Sequence, residues 1–176
     1  LSSSSAASDV YKRQELRHAV EHHELRLYLQ PKVPLHGQPG LAAEALVRWQ
    51  HPQRGLVPPM QFIPFAEQTG FVRHLTLWMF EEVARLLADP RTQGLPLRVS
   101  VNLSTRDLLD PELSHRLADI LARHGVAASA FCLEITESAI MDDPQRAEAM
   151  LNRLSEQGFN CLLYTSPSPR DVEESR

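Results

Sequence analysis

The sequence predicts an α/β fold with a mainly parallel sheet, because strand-like and helix-like segments alternate along the chain from Leu41 onward. Before Leu41, a strand-like segment and a turn with glycine and proline predict a hairpin at the start of the sheet. The pattern leaves two architectures open, a closed barrel and a doubly wound sheet. No glycine-rich phosphate loop follows a strand, which counts against the common nucleotide-binding forms of the doubly wound sheet.

The individual elements follow from hydrophobic periodicity, since apolar residues alternate in strands and recur every three or four residues in helices. Strands are predicted at 25–33, 41–49, 97–104 and 131–137, with a turn at 36–40 and a loop at 50–59. Helices are predicted at 61–68, 71–88, 110–125 and 143–158, and 15–24 is interpreted as the end of an incoming helix. Asp110 and Asp143 are expected to be N-caps because a proline follows each.

The second predicted strand carries the most informative side chains. Glu44, Leu46 and Arg48 share one face of it, because side chains alternate along a strand. A carboxylate and a guanidinium together at a strand end suit a site for a metal and a phosphate. Taken alone, the pattern favours an edge strand with one surface ion pair.

Two later strands strengthen the interpretation as a metal site. Asn102 and Glu134 each lie near the carboxyl end of their strand, as Glu44 does. In a parallel barrel those ends converge on one mouth. Two carboxylates and an amide are hard oxygen ligands suited to Mg²⁺ or Mn²⁺ rather than to a thiolate zinc site. The alternative is three polar strand ends that only hydrogen-bond to nearby loops.

The bulk composition excludes several classes of protein. The net charge of −4 argues against a general nucleic-acid binder with a basic surface. The two cysteines, Cys132 and Cys161, make no disulfide framework, which fits a reducing cytosol. No apolar run approaches the roughly 20 residues of a membrane span.

The two ends of the chain carry a different signature. Asp9–Gln14 back-translates to GAT GTG TAT AAG AGA CAG, whose reverse complement, read one frame over, encodes Cys161–Thr165. Tails encoded by opposite strands of one short DNA element resemble the two arms of a transposase-based sequencing adapter. Composition alone also fits a disordered Ser-rich leader and a disordered Pro/Ser-rich tail. We predict non-native, adapter-derived tails at 1–14 and 161–176, and a genuine insert at 15–160.

Six segments of the insert follow one another in a recognisable order. They are Tyr28–Pro31, Glu44–Trp49, His51-Pro52, Phe62–Gly70, Val101–Ser104 and Leu133–Ser138. Together they resemble the N-terminal part of the EAL domain, the bacterial phosphodiesterase of cyclic di-GMP. The resemblance implies a modified TIM (β/α)8 barrel with an antiparallel first strand, of which this chain holds about the first half.

The resemblance also implies an activity and a set of site residues. The activity is metal-dependent hydrolysis of cyclic di-GMP to linear pGpG at a two-metal site for Mg²⁺ or Mn²⁺. The implied metal ligands are Glu44, Asn102 and Glu134, and the implied dinucleotide contacts are Gln30, Leu46 and Arg48, the last through phosphate. Glu137 would brace a catalytic loop, so the implied catalytic set is Glu44, Asn102, Glu134 and Glu137.

The sequence departs from the family pattern after Asn160. There the family continues with an Asp-Asp-Phe-Gly strand and, beyond it, a catalytic Lys, a metal-binding Glu and a Gln, whereas Cys161-Leu162-Leu163 stands here. We therefore expect this polypeptide to be inactive and marginally folded, and its parent domain to be an active phosphodiesterase. The alternative is a degenerate EAL domain that acts as a cyclic di-GMP receptor or a protein-interaction module. The parent is expected in the bacterial cytoplasm, with upstream GGDEF or sensor domains, a homodimer and membrane tethering left open.

Overall fold

The computed structural model describes residues 2–33 and 40–164, and their side chains from residue 12 onward. Within them, the strands are β1 Leu25–Lys32, β2 Leu41–His51, β3 Gly55–Val57, β4 Leu97–Leu103, β5 Phe131–Thr136 and β6 Asn160–Tyr164. The α-helices are α1 Ser2–Glu21, α2 Ile63–Thr69, α3 Val72–Ala88, α4 Thr105–Leu108, α5 Leu113–His124, α6 Glu137–Met141 and α7 Pro144–Glu156. The predicted turn at 36–40 lies, except for Gly40, outside the described residues.

The strands form one sheet in the order β1-β2-β4-β5-β6, with β3 paired to β2. β1 runs antiparallel to β2, whereas β2, β4, β5 and β6 run parallel to one another. The predicted opening hairpin and the predicted α/β alternation are both confirmed. The result is an open, partial barrel whose first strand is antiparallel.

The core lies between the sheet and the helices on one of its faces. Alternate residues of β4 and β5 are almost completely buried there: Val99, Val101, Leu103, Phe131, Leu133 and Ile135. Phe131 stacks on Phe80 of α3 with ring centroids 5.3 Å apart, and Phe159 packs edge-on against both. Because side chains alternate along a strand, the polar residues between them point to the opposite face. Helices on a single face are the arrangement of a barrel and not of a doubly wound sheet.

A second apolar cluster fixes the end of β2. Trp49 is buried against Phe62 and donates a hydrogen bond from its indole nitrogen to Glu24 Oε2 over 2.9 Å. Just beyond it, Arg54 donates to Glu15 Oε1 of α1 over 2.7 Å. The incoming helix is therefore tied to the strand end that follows Arg48.

Three sequence predictions need correction, and one helix was missed. Asp110 is not an N-cap: it accepts a hydrogen bond from the Glu112 backbone, and α5 begins only at Leu113 because residues 110–112 form a turn. The helix α4 was not predicted, since four residues are too few to show periodicity. The predicted loop at 50–59 contains β3, which pairs with the extended end of β2. Glu137 begins α6 instead of ending β5. The predicted cap at Asp143 is confirmed, as its carboxylate accepts from the Arg146 N–H.

Both predicted tails contribute regular structure. α1 begins at Ser2, and residues 161–164 complete β6, which pairs with β5. Regular structure does not report where coding sequence begins, so the boundaries at 15 and 160 stay predictions. No helix within the described residues is long and apolar enough to cross a bilayer.

The buried carboxylate of Asp107 accepts hydrogen bonds from the residues around the end of β4. Asp107 is 1% exposed, and its Oδ2 accepts from the Ser104 N–H, the Ser104 hydroxyl and the Thr76 hydroxyl, each within 2.8–2.9 Å. The Ser104 hydroxyl in turn accepts from the Asp107 N–H, which completes a capping box for α4. Burial raises the pKa of Asp107 to about 6, although the hydrogen bonds from Ser104 and Thr76 oppose this rise.

We predict that Asp107 makes stability depend on pH in an unusual direction. Its folded-state pKa of about 6 exceeds the ordinary 3.8, so the folded state binds the proton more tightly. The contribution of Asp107 to the free energy of unfolding therefore falls as pH rises from about 4 to about 6. Thr76→Val removes one donor to the carboxylate and should raise the pKa by about 1. Carboxyl ¹³C NMR would measure this midpoint. Thr92→Val, which alters a hydroxyl bonded only to backbone, should leave it unchanged; equal midpoints in all three proteins would contradict the assignment.

We also predict that the open sheet edges cause self-association and broad unfolding. β1 and β6 lie at the two ends of the strand order, and Leu163 on β6 is 59% exposed. Leu163→Lys should raise the monomer fraction measured by light scattering, because a charge on an edge strand opposes pairing with a second copy. Leu95→Lys adds the same charge at an exposed leucine in the loop before β4, away from any strand edge, and is the control. If the unsubstituted 176-residue chain is monomeric and unfolds in a sharp thermal transition, this expectation is wrong.

Candidate functional site

The polar face of the sheet carries the predicted metal ligands. Glu44 of β2 pairs in register with Ser100 of β4, and Asn102 of β4 pairs with Glu134 of β5. Glu44 therefore lies two residues below Asn102 and Glu134 along the strand direction. The sequence predicted equivalent strand positions for these three side chains, and that prediction is wrong. The stagger of a barrel sheet produces this offset, and all three side chains remain on one face.

Side-chain caps end the two strands just beyond their polar residues. Ser104 caps α4 two residues after Asn102, and Thr136 caps α6 two residues after Glu134 by accepting from the Ala139 N–H. Because helical backbone begins directly after each cap residue, neither strand continues past it. Asn102 and Glu134 are thus held at matching ends of neighbouring strands.

The three predicted ligands line one cavity of about 240 Å³. Glu44 Oε1 accepts a hydrogen bond from the Asn102 amide nitrogen over 3.1 Å. That bond orients the amide and leaves the Asn102 carbonyl oxygen as the ligand atom for a cation. Glu134 lies deeper, with 6% of its surface exposed. The structure therefore brings together Glu44, Asn102 and Glu134.

A residue that the sequence analysis did not select lies in the same cavity. The Lys32 ammonium forms an ion pair with Glu134 and donates to the Ser100 hydroxyl over 3.1 Å. Burial acts to lower the pKa of Lys32, but the hydrogen bond and charge of Glu134 outweigh it and raise the pKa. The signal was present in the sequence, because Lys32 is two residues from Gln30 and so shares its face of β1. Tyr164 closes this side of the cavity, with its hydroxyl 3.4 Å from Glu134 Oε1.

A larger cavity of about 670 Å³ adjoins the first, and Asn102 and Thr136 line both. Leu46 and Arg48 line only the larger one. The Arg48 guanidinium lies 5.7 Å from the centre of the Tyr28 ring and donates to its neighbour's backbone, the Val47 carbonyl, over 3.0 Å. A half-buried cation beside an apolar wall of this size suits an anionic ligand that has flat apolar parts.

The two other predicted site residues lie apart from these cavities. Gln30 is opposite Glu44 in the antiparallel register and exposed, but it lines neither cavity. Glu137 is exposed at the first position of α6 and is not in contact with the cavity of Glu134. Neither is joined to the main cluster within the described residues.

The donor set fits a divalent cation in its chemistry. Two carboxylates and an amide oxygen are ligands of the kind that Mg²⁺ and Mn²⁺ take, and they share one small cavity. The fit is incomplete in charge, since Lys32 already neutralises one carboxylate. No group of three or more His, Cys, Asp or Glu able to hold a metal is found in the part of the chain that the structure describes.

Comparison with known proteins gives the family. A model of the EAL domain matches residues 13–165. The chain is 36% identical over 148 residues to the cyclic di-GMP phosphodiesterase PdeR of Escherichia coli, covering 84% of this chain and 22% of that protein. It is 34% identical over 167 residues to the bifunctional diguanylate cyclase/cyclic di-GMP phosphodiesterase MucR of Pseudomonas aeruginosa, covering 88% of this chain and 24% of that protein. The chain thus spans about a quarter of these relatives or less.

Solved structures agree with this assignment. The structure of the PaMucR phosphodiesterase in complex with c-di-GMP superposes with a TM-score of 0.80 at 32% identity, covering 93% of this chain and 68% of that one. The FimX EAL domain superposes with a TM-score of 0.77 at 27% identity, covering 87% of this chain and 61% of that one. The open sheet is accordingly part of a TIM-like barrel. Members of the EAL domain family generally depend on a divalent metal. By sequence and by structure, the chain belongs to the EAL domain family.

Proposed function

We propose that the chain is the N-terminal part of a domain that hydrolyses cyclic di-GMP to linear pGpG in bacterial second-messenger signalling. The observation that carries the proposal is the pair of adjoining cavities. Glu44, Asn102 and Glu134 line the smaller one, and Leu46 and Arg48 line the larger. Relatives at 34–36% identity named as cyclic di-GMP phosphodiesterases support it.

Each cavity has a separate role in this proposal. In the larger cavity, Arg48 pairs with a phosphate and Leu46 contacts a base or sugar. Gln30, which lines neither cavity here, would contact the dinucleotide from β1, opposite Glu44. In the smaller cavity, Glu44, Asn102 and Glu134 would hold Mg²⁺ or Mn²⁺. The chemistry that such a metal would supply is activation of the attacking water and stabilisation of the leaving oxygen. Glu137 braces a loop from a later part of the domain.

The proposal extends to the chain's boundaries and context. The genuine domain segment is 15–160, flanked by adapter-derived tails, and the parent acts in the cytoplasm. We further propose upstream GGDEF or sensor domains and a homodimer. One relative is named as a bifunctional diguanylate cyclase/cyclic di-GMP phosphodiesterase, which agrees with an additional domain.

A receptor or protein-interaction role is the second candidate, and one feature favours it for this polypeptide. In β6, Leu162 pairs in register with Glu134, where the family pattern has carboxylates. An apolar residue there supplies no ligand. Within the described cavity only Glu44 and Glu134 are acidic, and a phosphodiester can still bind to Arg48 without being cleaved.

The Arg48 assignment can be tested by binding. Arg48→Ala should weaken cyclic di-GMP binding about tenfold or more, since it removes a charge-assisted contact to phosphate. Arg54→Ala is the matched control, because Arg54 lies over the Trp49 ring on the far side of the strand end and lines neither cavity. Isothermal titration calorimetry on the 176-residue chain measures both. Equal losses from the two variants would rule out a specific role for Arg48.

Catalysis is tested together with the boundaries. We expect no hydrolysis by the 176-residue chain, because half of the family's metal ligands are absent from it. Re-sequencing the source DNA from primers inside residues 15–160 should extend the frame past Asn160 into Asp-Asp-Phe-Gly, and the extended protein should release pGpG in a chromatographic assay. Hydrolysis by the short chain would contradict the first expectation. A source that truly encodes Cys161–Arg176 would favour the receptor role.

A further inference from the structure

We propose that the Lys32 ammonium is a resident counter-charge in the metal cavity, which a divalent cation must displace from Glu134 in order to bind. This inference rests on the proposed function, because it concerns the metal site named there. Its evidence is the set of contacts that Lys32 makes.

The first contact is with the least exposed ligand of the site. The Glu134 side chain is 7% exposed and forms an ion pair with Lys32, whose side chain is 30% exposed. A buried carboxylate without a counter-charge is costly, so the pair stabilises Glu134 whenever no metal is bound. The same oxygen, Oε1, receives both the Lys32 ammonium and the Tyr164 hydroxyl.

The remaining contacts fix the ammonium in place. Lys32 donates to the Ser100 hydroxyl over 3.1 Å, and its Nζ lies 5.9 Å from the centre of the Tyr164 ring. Ser100 is itself buried and pairs in register with Glu44. The Lys32 ammonium is therefore partly enclosed by side chains at the proposed metal cavity and is only partly in contact with solvent.

The charges of the cavity give the consequence. Two carboxylates, Glu44 and Glu134, are offset by one ammonium, so a divalent cation enters a site with a net charge near −1 in place of −2. A cation close to Lys32 is repelled at short range in a partly desolvated space. Lys32 thus sets the concentration of metal at which the site fills.

Substitution of Lys32 is the direct test, with Mn²⁺ alone as the probe. In calorimetry, Lys32→Met should bind Mn²⁺ about tenfold more tightly than the unsubstituted 176-residue chain. Lys32→Arg keeps the charge and should not tighten binding. Arg85→Met removes one charge from a side chain exposed on α3 and should also leave the affinity unchanged, which controls for net charge.

A second measurement needs no variant. The chain contains two lysines, Lys12 and Lys32, and Lys12 is exposed. Mn²⁺ should raise the acylation of Lys32 relative to Lys12 by roughly threefold or more, because the displaced amine leaves its ion pair. Mass spectrometry of labelled peptides gives this ratio even if Lys32→Met fails to fold.

The outcomes separate the two proposals. Tighter binding by Lys32→Met, or a Mn²⁺-dependent rise in Lys32 labelling, supports the inference. Measurable Mn²⁺ binding with equal affinity in the unsubstituted chain and Lys32→Met and with unchanged Lys32 labelling (or unchanged labelling alone, if Lys32→Met does not fold) overturns it and leaves the metal site standing. An absence of Mn²⁺ binding from every folded variant overturns the metal site and the inference together.

Discussion

The burial of one face of β4 and β5 against the helices is the constraint on which the rest of the structure depends. The residues on that face, such as Val99 and Leu133, are completely buried. A slip of one residue in either strand would turn Asn102 or Glu134 into this apolar core, at a cost of several kcal/mol for a buried charge. The hydrophobic core therefore fixes the position of polar side chains that take no part in it.

The electrostatics of the site follow from that geometry. Once register places two carboxylates in one small cavity, their repulsion must be relieved by a cation, a proton or a hydrogen-bond donor. Here the Asn102 amide donates a hydrogen bond to Glu44, and the Lys32 ammonium forms an ion pair with Glu134. The neighbouring cavity with Arg48 adds a second cation on the same side of the sheet. Two cations, Lys32 and Arg48, thus lie on the same side of the sheet as the two carboxylates.

The ends of the strands are positioned from outside the site. Asp107 and the Ser104 cap stop β4, while Glu24 and the Trp49 cluster hold β2 beyond Arg48. These contacts are local and well satisfied: in the part of the chain that the structure describes, no buried side-chain nitrogen or oxygen lacks a partner. The edges at β1 and β6 contrast with this order, since each of these strands pairs on one side only within the residues that the structure describes.

The sequence by itself determined the α/β class, most element boundaries, the antiparallel start and the family, because periodicity and ordered motifs are local features of a chain. It also selected Glu44, Asn102, Glu134, Leu46 and Arg48. Only the tertiary structure decided the stagger of Glu44 relative to Asn102 and the separation of Gln30 and Glu137 from the cavities. It alone brought Lys32 onto Glu134, a pair 102 residues apart in the chain. Such distances depend on strand register and on which carboxylates must be neutralised, and no local pattern encodes either.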